Sequence, residues 1–159
     1  MADIFAKIGD IKGESFDDKH KDEVEVLSWS WGISQGAAAS PGGGGGAGKA
    51  SFNDFTFTHR IDKASPNLMK ACATGSHIKD ATITVRKAGK GQQEYLVIKM
   101  EDVVITEVMP SVSADGPITA EHVGLQFAKF QVEYKPQKAD GSLDGAVVFK
   151  YDIKANKEG

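Results

Sequence analysis

Along most of the chain apolar and polar positions alternate with a period of two, the signature of strands that turn one face to a core. Val147, Phe149, Tyr151 and Ile153 alternate with Val148, Lys150, Asp152 and Lys154, which predicts a half-buried strand. Phe55, Phe57, His59 and Ile61 alternate with Thr56, Thr58 and Arg60 in the same way. Ile83 and Val85 against Thr82, Thr84 and Arg86 give a third strand, which turns through Ala88-Gly89-Lys90-Gly91 into a partner beginning near Glu94. One-sided strands of this kind are antiparallel signals.

Two segments change phase. Val24 and Val26 share one face, whereas Leu27, Trp29, Trp31 and Ile33 occupy the other; likewise Val123, Leu125 and Phe127 give way to Phe130, Val132 and Tyr134. Either each segment serves two sheets with a bulge or sharp twist at the switch, or both of its faces are partly buried. One helix is signalled, with Ser65 as N-cap, Pro66 at the first helical position, Leu68, Met69 and Cys72 on one apolar side and Gly75 as the stop. Seven or eight strands surround it. The fold class is mainly β: a compact antiparallel barrel or sandwich with one short flanking α-helix over about residues 66–74 and a long glycine-rich extended loop over about residues 36–50. Pro110 to Pro117 and Lys138 to Gly145 read as further loops. With no repeat or boundary in view, residues 1–159 are expected to form one domain.

Composition acts mainly by exclusion. Nineteen Lys and Arg against 22 Asp and Glu leave a formal charge of −3, so no basic excess points to nucleic acid. Cys72 stands alone, which removes an internal disulfide and a zinc arrangement and reads as a small buried hydrophobe. The start, Met1-Ala2-Asp3-Ile4-Phe5-Ala6-Lys7, lacks a basic segment followed by an apolar run. The expectation is therefore folding in the cytoplasm and, if the protein leaves, export without a cleaved signal peptide. No stretch approaches the ~18 apolar residues that membrane insertion needs.

Several motifs invite a chemical function and fail on detail. Gly43, four residues, then Gly48-Lys49 matches a phosphate loop until Ala50, where Ser or Thr should hold magnesium; a strand-like stretch follows where a helix is required. His20, His59, His77 and His122 lack paired metal-ligand spacing and read as strand-end or surface residues. Asp17 to Glu23 reads as a solvated charged turn, and Asp140 and Asp144 lack the spacing of a calcium loop. No nucleophile elbow is present and Cys72 has no identifiable base, so neither a catalytic set nor a cofactor is expected. On the tryptophan strand, Trp29 and Trp31 share one face and Ser28, Ser30 and Gly32 the other. This is either a core face backed by a smooth exposed face or simply an edge of the barrel.

Val26-Leu27-Ser28-Trp29-Ser30-Trp31-Gly32, the polyglycine loop, and Ile61-Asp62-Lys63-Ala64-Ser65-Pro66-Asn67-Leu68-Met69 together resemble the haemolysin-coregulated protein (Hcp) family. So do Gly9-Asp10-Ile11-Lys12-Gly13-Glu14-Ser15, Val85-Arg86-Lys87-Ala88-Gly89 and Tyr134-Lys135-Pro136-Gln137-Lys138-Ala139-Asp140-Gly141. The resemblance runs in order from residue 3 to about residue 155. It implies a non-enzymatic structural subunit of the bacterial type VI secretion system, a β-barrel that forms homo-hexameric rings. Those rings stack into a phage-tail-like tube, driven by a sheath and tipped by a spike, and the lumen receives effector proteins. Members appear in the medium, and no extension follows residue 159, so a toxin-fused form is not expected.

The resemblance gives residues roles. Ser28 and Ser30 are the expected lumen and effector contacts. Gly42, Gly43, Gly44, Gly45, Gly46, Gly48 and Lys49 are the expected ring-stacking contacts. A six-fold ring uses head-to-tail contacts between two different patches on each subunit. The competing reading from the residues is a non-enzymatic β-barrel adaptor whose glycine loop closes over a ligand.

Overall fold

Six of the strands close on themselves. The computed structural model describes residues 3–36, 50–87, 91–116 and 119–159. In chain order the described elements are β1 (Asp3–Ile8), β2 (Val24–Ser30), β3 (Ile33–Gln35), β4 (Ala50–Phe52), β5 (Phe55–Arg60), α1 (Ser65–Thr74), β6 (His77–Arg86), β7 (Glu94–Ser111), β8 (Ala120–Tyr134), β9 (Val147–Asp152) and β10 (Lys157–Glu158). The sheet runs β10-β9-β8-β5-β2-β1-β6-β7, and β7 also pairs with β8. That last pairing makes a closed six-stranded antiparallel barrel, which settles the choice between barrel and sandwich. β3 and β4 form a separate two-stranded sheet, so the segment expected as a loop to residue 50 is strand from Ala50 onward.

Both phase changes have a physical cause. In β2, Val26 faces His59 and Ser28 faces Thr58, so two steps on β2 answer one on β5 and Leu27 is the extra, bulged residue. Leu27 is exposed while Val26 is buried and Trp29 half-buried, which corrects the placing of Leu27 on the tryptophan face. In β8 the buried Phe127 and Phe130 are three residues apart, and so are their partners Val103 and Met100 on β7. The two long strands therefore bend together, and Asp102 at the bend takes a φ of 53°, which a short polar side chain tolerates. At the same place β8 exchanges its neighbour, pairing with β5 over 120–125 and with β9 over 129–134.

Inside the barrel, Phe55, Phe57, Ile83, Ile98, Met100, Ile105, Val123 and Leu125 are essentially inaccessible. Two glycines are set by close approach. A Cβ on Gly124 would lie 2.7 Å from Oγ1 of Thr106, the extra residue of a second bulge, in β7. One on Gly13 would lie 2.5 Å from the Glu23 carbonyl oxygen, which is backbone and cannot step aside.

The helix packs against β7 through buried Leu68 and Ala71, with Cys72 half-buried beside them. Met69, expected on that side, is exposed. Its N-cap is Ala64 rather than Ser65: the Ser65 hydroxyl turns back to accept the Asp62 N–H at 3.1 Å, and so is unavailable to the first turn. Gly75 ends the helix in the left-handed region as expected, its N–H donating to the Cys72 carbonyl oxygen.

Three polar clusters depart from the sequence expectation because distant segments cover or pair with them. His59 and Glu121 are wholly buried and 2.8 Å apart, and burial raises the nearby Asp62 carboxyl above its ordinary value. His20 is buried against Phe5, with Glu23 at 2.9 Å from one ring nitrogen and Glu94 at 2.7 Å from the other. Asp17, expected in a solvated turn, instead grips buried Arg86, which also bonds Asp3 at 3.2 Å. The Arg86 hydrogen bond is the main reason that the Asp17 carboxyl falls to about 2.

Candidate functional site

The bulge at Leu27 turns Ser28 and Ser30 outward, where both are exposed. Beneath them Trp29 is half-buried and stacks on Phe55 with centroids 5.3 Å apart. The expected arrangement of a core-facing aromatic side backed by a small-residue side therefore holds at Trp29. Trp31 lies beyond the end of β2, where its Nε1 donates to the Asn53 carbonyl oxygen at 2.8 Å and its ring meets Phe130 edge-on. Ile33, expected with the tryptophans, is exposed, and Gly32 is half-buried against the Asn53 turn.

Register extends the serine face across three strands. Ser28 sits opposite Thr58 and Ser30 opposite Thr56; those threonines in turn sit opposite His122 and Gly124 of β8. Thr56 Oγ1 donates to the Ser30 carbonyl oxygen at 3.2 Å, and His122 Nε2 lies 3.1 Å from Glu107 Oε1. The product is an outward wall of exposed Ser28 and Ser30 and half-buried Thr56 and Thr58, bounded on β8 by buried Gly124, which Thr106 and Glu107 cover, and by the His122–Glu107 pair. Thr56, Thr58 and Gly124 escaped the sequence reading, although the inward alternation of Phe55, Phe57 and His59 already places Thr56 and Thr58 on the outer side.

This wall presents exposed serine hydroxyls that a partner could contact. Among the described residues neither Ser28 nor Ser30 is hydrogen-bonded to a histidine or carboxylate, the pairing that an activated hydroxyl requires. Among those residues, too, no group of three or more His, Cys, Asp or Glu side chains could hold a metal ion. Asp140 is occupied locally with the Ser142 backbone and hydroxyl, and Asp144 with the Gly145 N–H. Gly42, Gly43, Gly44, Gly45, Gly46, Gly48 and Lys49 lie outside the described residues. The strands on either side of that segment pair with each other, Ile33 opposite Phe52 and Gln35 opposite Ala50. No helix among the described residues is long and apolar enough to cross a membrane.

Comparison with known proteins adds the family. A family model described as "Type VI secretion system effector, Hcp" matches residues 5–134. The chain is 49% identical over 156 residues to protein hcp1 of Pseudomonas aeruginosa, covering 97% of this chain and 96% of that one. The crystal structure of Hcp1 from Salmonella typhimurium is 43% identical with a TM-score of 0.80, over 99% of this chain and 98% of that one. A structure described as that of a type six secretion system protein shares the fold with a TM-score of 0.93 at 24% identity, over the whole of both chains.

Proposed function

The chain belongs to the Hcp family of type VI secretion proteins, and on that premise we propose that it is a structural subunit of the system's inner tube. Six copies of the one domain close into a ring and rings stack into the tube. The tube works with the spike and sheath components, carries effector proteins in its lumen, and leaves the cytoplasm without signal-peptide cleavage. The observation that carries this reading is the family match along nearly the whole chain. The outward wall around Ser28 and Ser30 supports it, since a conduit needs a polar lining that holds cargo without trapping it.

Light scattering behind size exclusion across a dilution series tests the ring directly. A mass six times that of the monomer is expected, and a monomer at every concentration overturns the assignment. Cargo contact is tested by Ser30→Arg, which should abolish capture of a cognate effector while leaving rings intact; full capture removes Ser30 from the lining. The tract of Gly42 to Gly46, Gly48 and Lys49 is the proposed stacking contact. Contact with the next ring would take the backbone amides of this tract out of water. Its amide exchange should therefore slow when rings become tubes, and unchanged exchange counts against that role.

A further inference from the structure

We infer that the two patches joining neighbouring copies in the ring are an acidic groove on the β1–β2 side of the barrel and the β9–β10 flap on the opposite side. The inference rests on the ring reading and identifies the contact within it. The groove, about 800 Å³ in volume, lies between β1, β2, the end of β5 and the segment around residue 16. Asp3, Glu14, Asp17, Glu25 and Asp62 line it against two arginines, Arg60 and Arg86. On its rim Phe16 is 94% exposed and Leu27 46% exposed, apolar side chains that the isolated subunit leaves in water.

The flap has the opposite character. Val147 is 66% exposed and Val148 and Phe149 are exposed beside it. Lys150, Lys154 and Lys157 are exposed along the same segment, and Lys129 of β8 offsets Asp152 at 3.9 Å. That leaves three lysines against Glu158. The outer edge of β9 is covered from Lys150 to Asp152, by the two residues of β10 and by the Gly159 N–H, which donates to the Lys150 carbonyl oxygen at 3.1 Å; among the described residues no strand pairs with the outer edge of 147–149.

Topology sets the two patches apart. In the closed order β8-β5-β2-β1-β6-β7, β1 and β8 are three strands apart in either direction, and β9 hangs from β8. A groove centred on β1 and β2 therefore lies across the barrel from the flap. Two unlike patches of opposite charge on opposite sides give a head-to-tail contact, which closes into a ring when the rotation between copies permits. Self-pairing of either patch brings like charges together, so the second copy must present the other one.

Two charge-reversed variants of the full chain test this. One carries Glu14→Lys and Glu25→Lys in the groove, the other Lys150→Glu and Lys154→Glu in the flap. Each alone should lose the ring mass, with melting temperature reporting that the barrel is intact. Mixed in equal amounts they should recover it, because each reversed groove then meets a reversed flap and six places allow strict alternation. Phe16→Asp, which alters no contact inside the barrel, should raise the concentration at which rings dissociate by about tenfold. Wild-type rings together with variants that keep their ring mass, or with a mixture that stays monomeric, overturn the assignment of the patches. A wild-type monomer instead overturns the ring reading beneath it.

Discussion

β5 and β9 are written in the same alphabet and end in different environments. Phe55 and Phe57 of β5 are 0% and 1% exposed, whereas Val147 and Phe149 of β9 are 66% and 40% exposed. The difference lies in the neighbours. β5 sits between β2 and β8 in a closed barrel whose interior fills its inward face, while β9 has β8 on one side and only two residues of β10 on the other. Alternation thus specifies that a strand has an apolar face, and tertiary closure decides whether that face is satisfied within one chain. Where it is not, the face remains available to another copy.

Phe55→Ala should have the largest effect, removing about 3–5 kcal/mol of stability through lost burial and an unfilled cavity. Denaturant unfolding of the isolated subunit measures it. Gly13→Ala comes next, at about 1–3 kcal/mol, because the added methyl meets the Glu23 backbone; a melting temperature within a degree of wild type would show that the loop yields.

Asp17→Asn acts through pH. Arg86 holds the Asp17 carboxyl at about 2 against an ordinary 3.8, so on acidification the unfolded chain takes the proton first. The stability owed to this pair is complete above the ordinary value and is lost as the pH falls from about 4 towards 2. The variant should be less stable than wild type at neutral pH and show a flatter decline across that window. Parallel acid limbs would remove the pair from the stability account.

Val147→Ala should matter least to the isolated subunit, within about 0.5 kcal/mol, as for surface substitutions generally. It should nonetheless weaken the assembled ring. A loss in the monomer comparable to that of Phe55→Ala would break the contrast between β5 and β9.

Much of the fold was legible from local pattern. The period of two located β2, β5, β6, β8 and β9 and the start of β7 but not β1, β4 or β10, Pro66 and Gly75 bracketed the helix to within a residue or two, and the phase changes in β2 and β8 marked real irregularities. Ser28 and Ser30 were placed on the exposed face because alternation is set by the backbone of the strand itself. Ser65 misled because its hydroxyl found the Asp62 N–H, a local competitor that the capping pattern does not reveal. His20, His59 and Asp17 misled for a different reason: the segments that bury or charge-pair them, at Glu94, Glu121 and Arg86, are 62 to 74 residues away.

By itself, then, the sequence determined the positions of most of the long strands, the helix over 65–74, the outward direction of Ser28 and Ser30 and, through motifs kept in order along the chain, the family. Those are properties of short segments, governed by side-chain direction and local backbone preference. Only the tertiary structure decided that β7 closes on β8, that Leu27 is expelled as a bulge, that His59 and Glu121 share the interior, and that Val147 and Val148 at the start of β9 stay exposed. Each of these depends on which distant strand arrives alongside and in what register, and register is a pairwise quantity that no single strand carries.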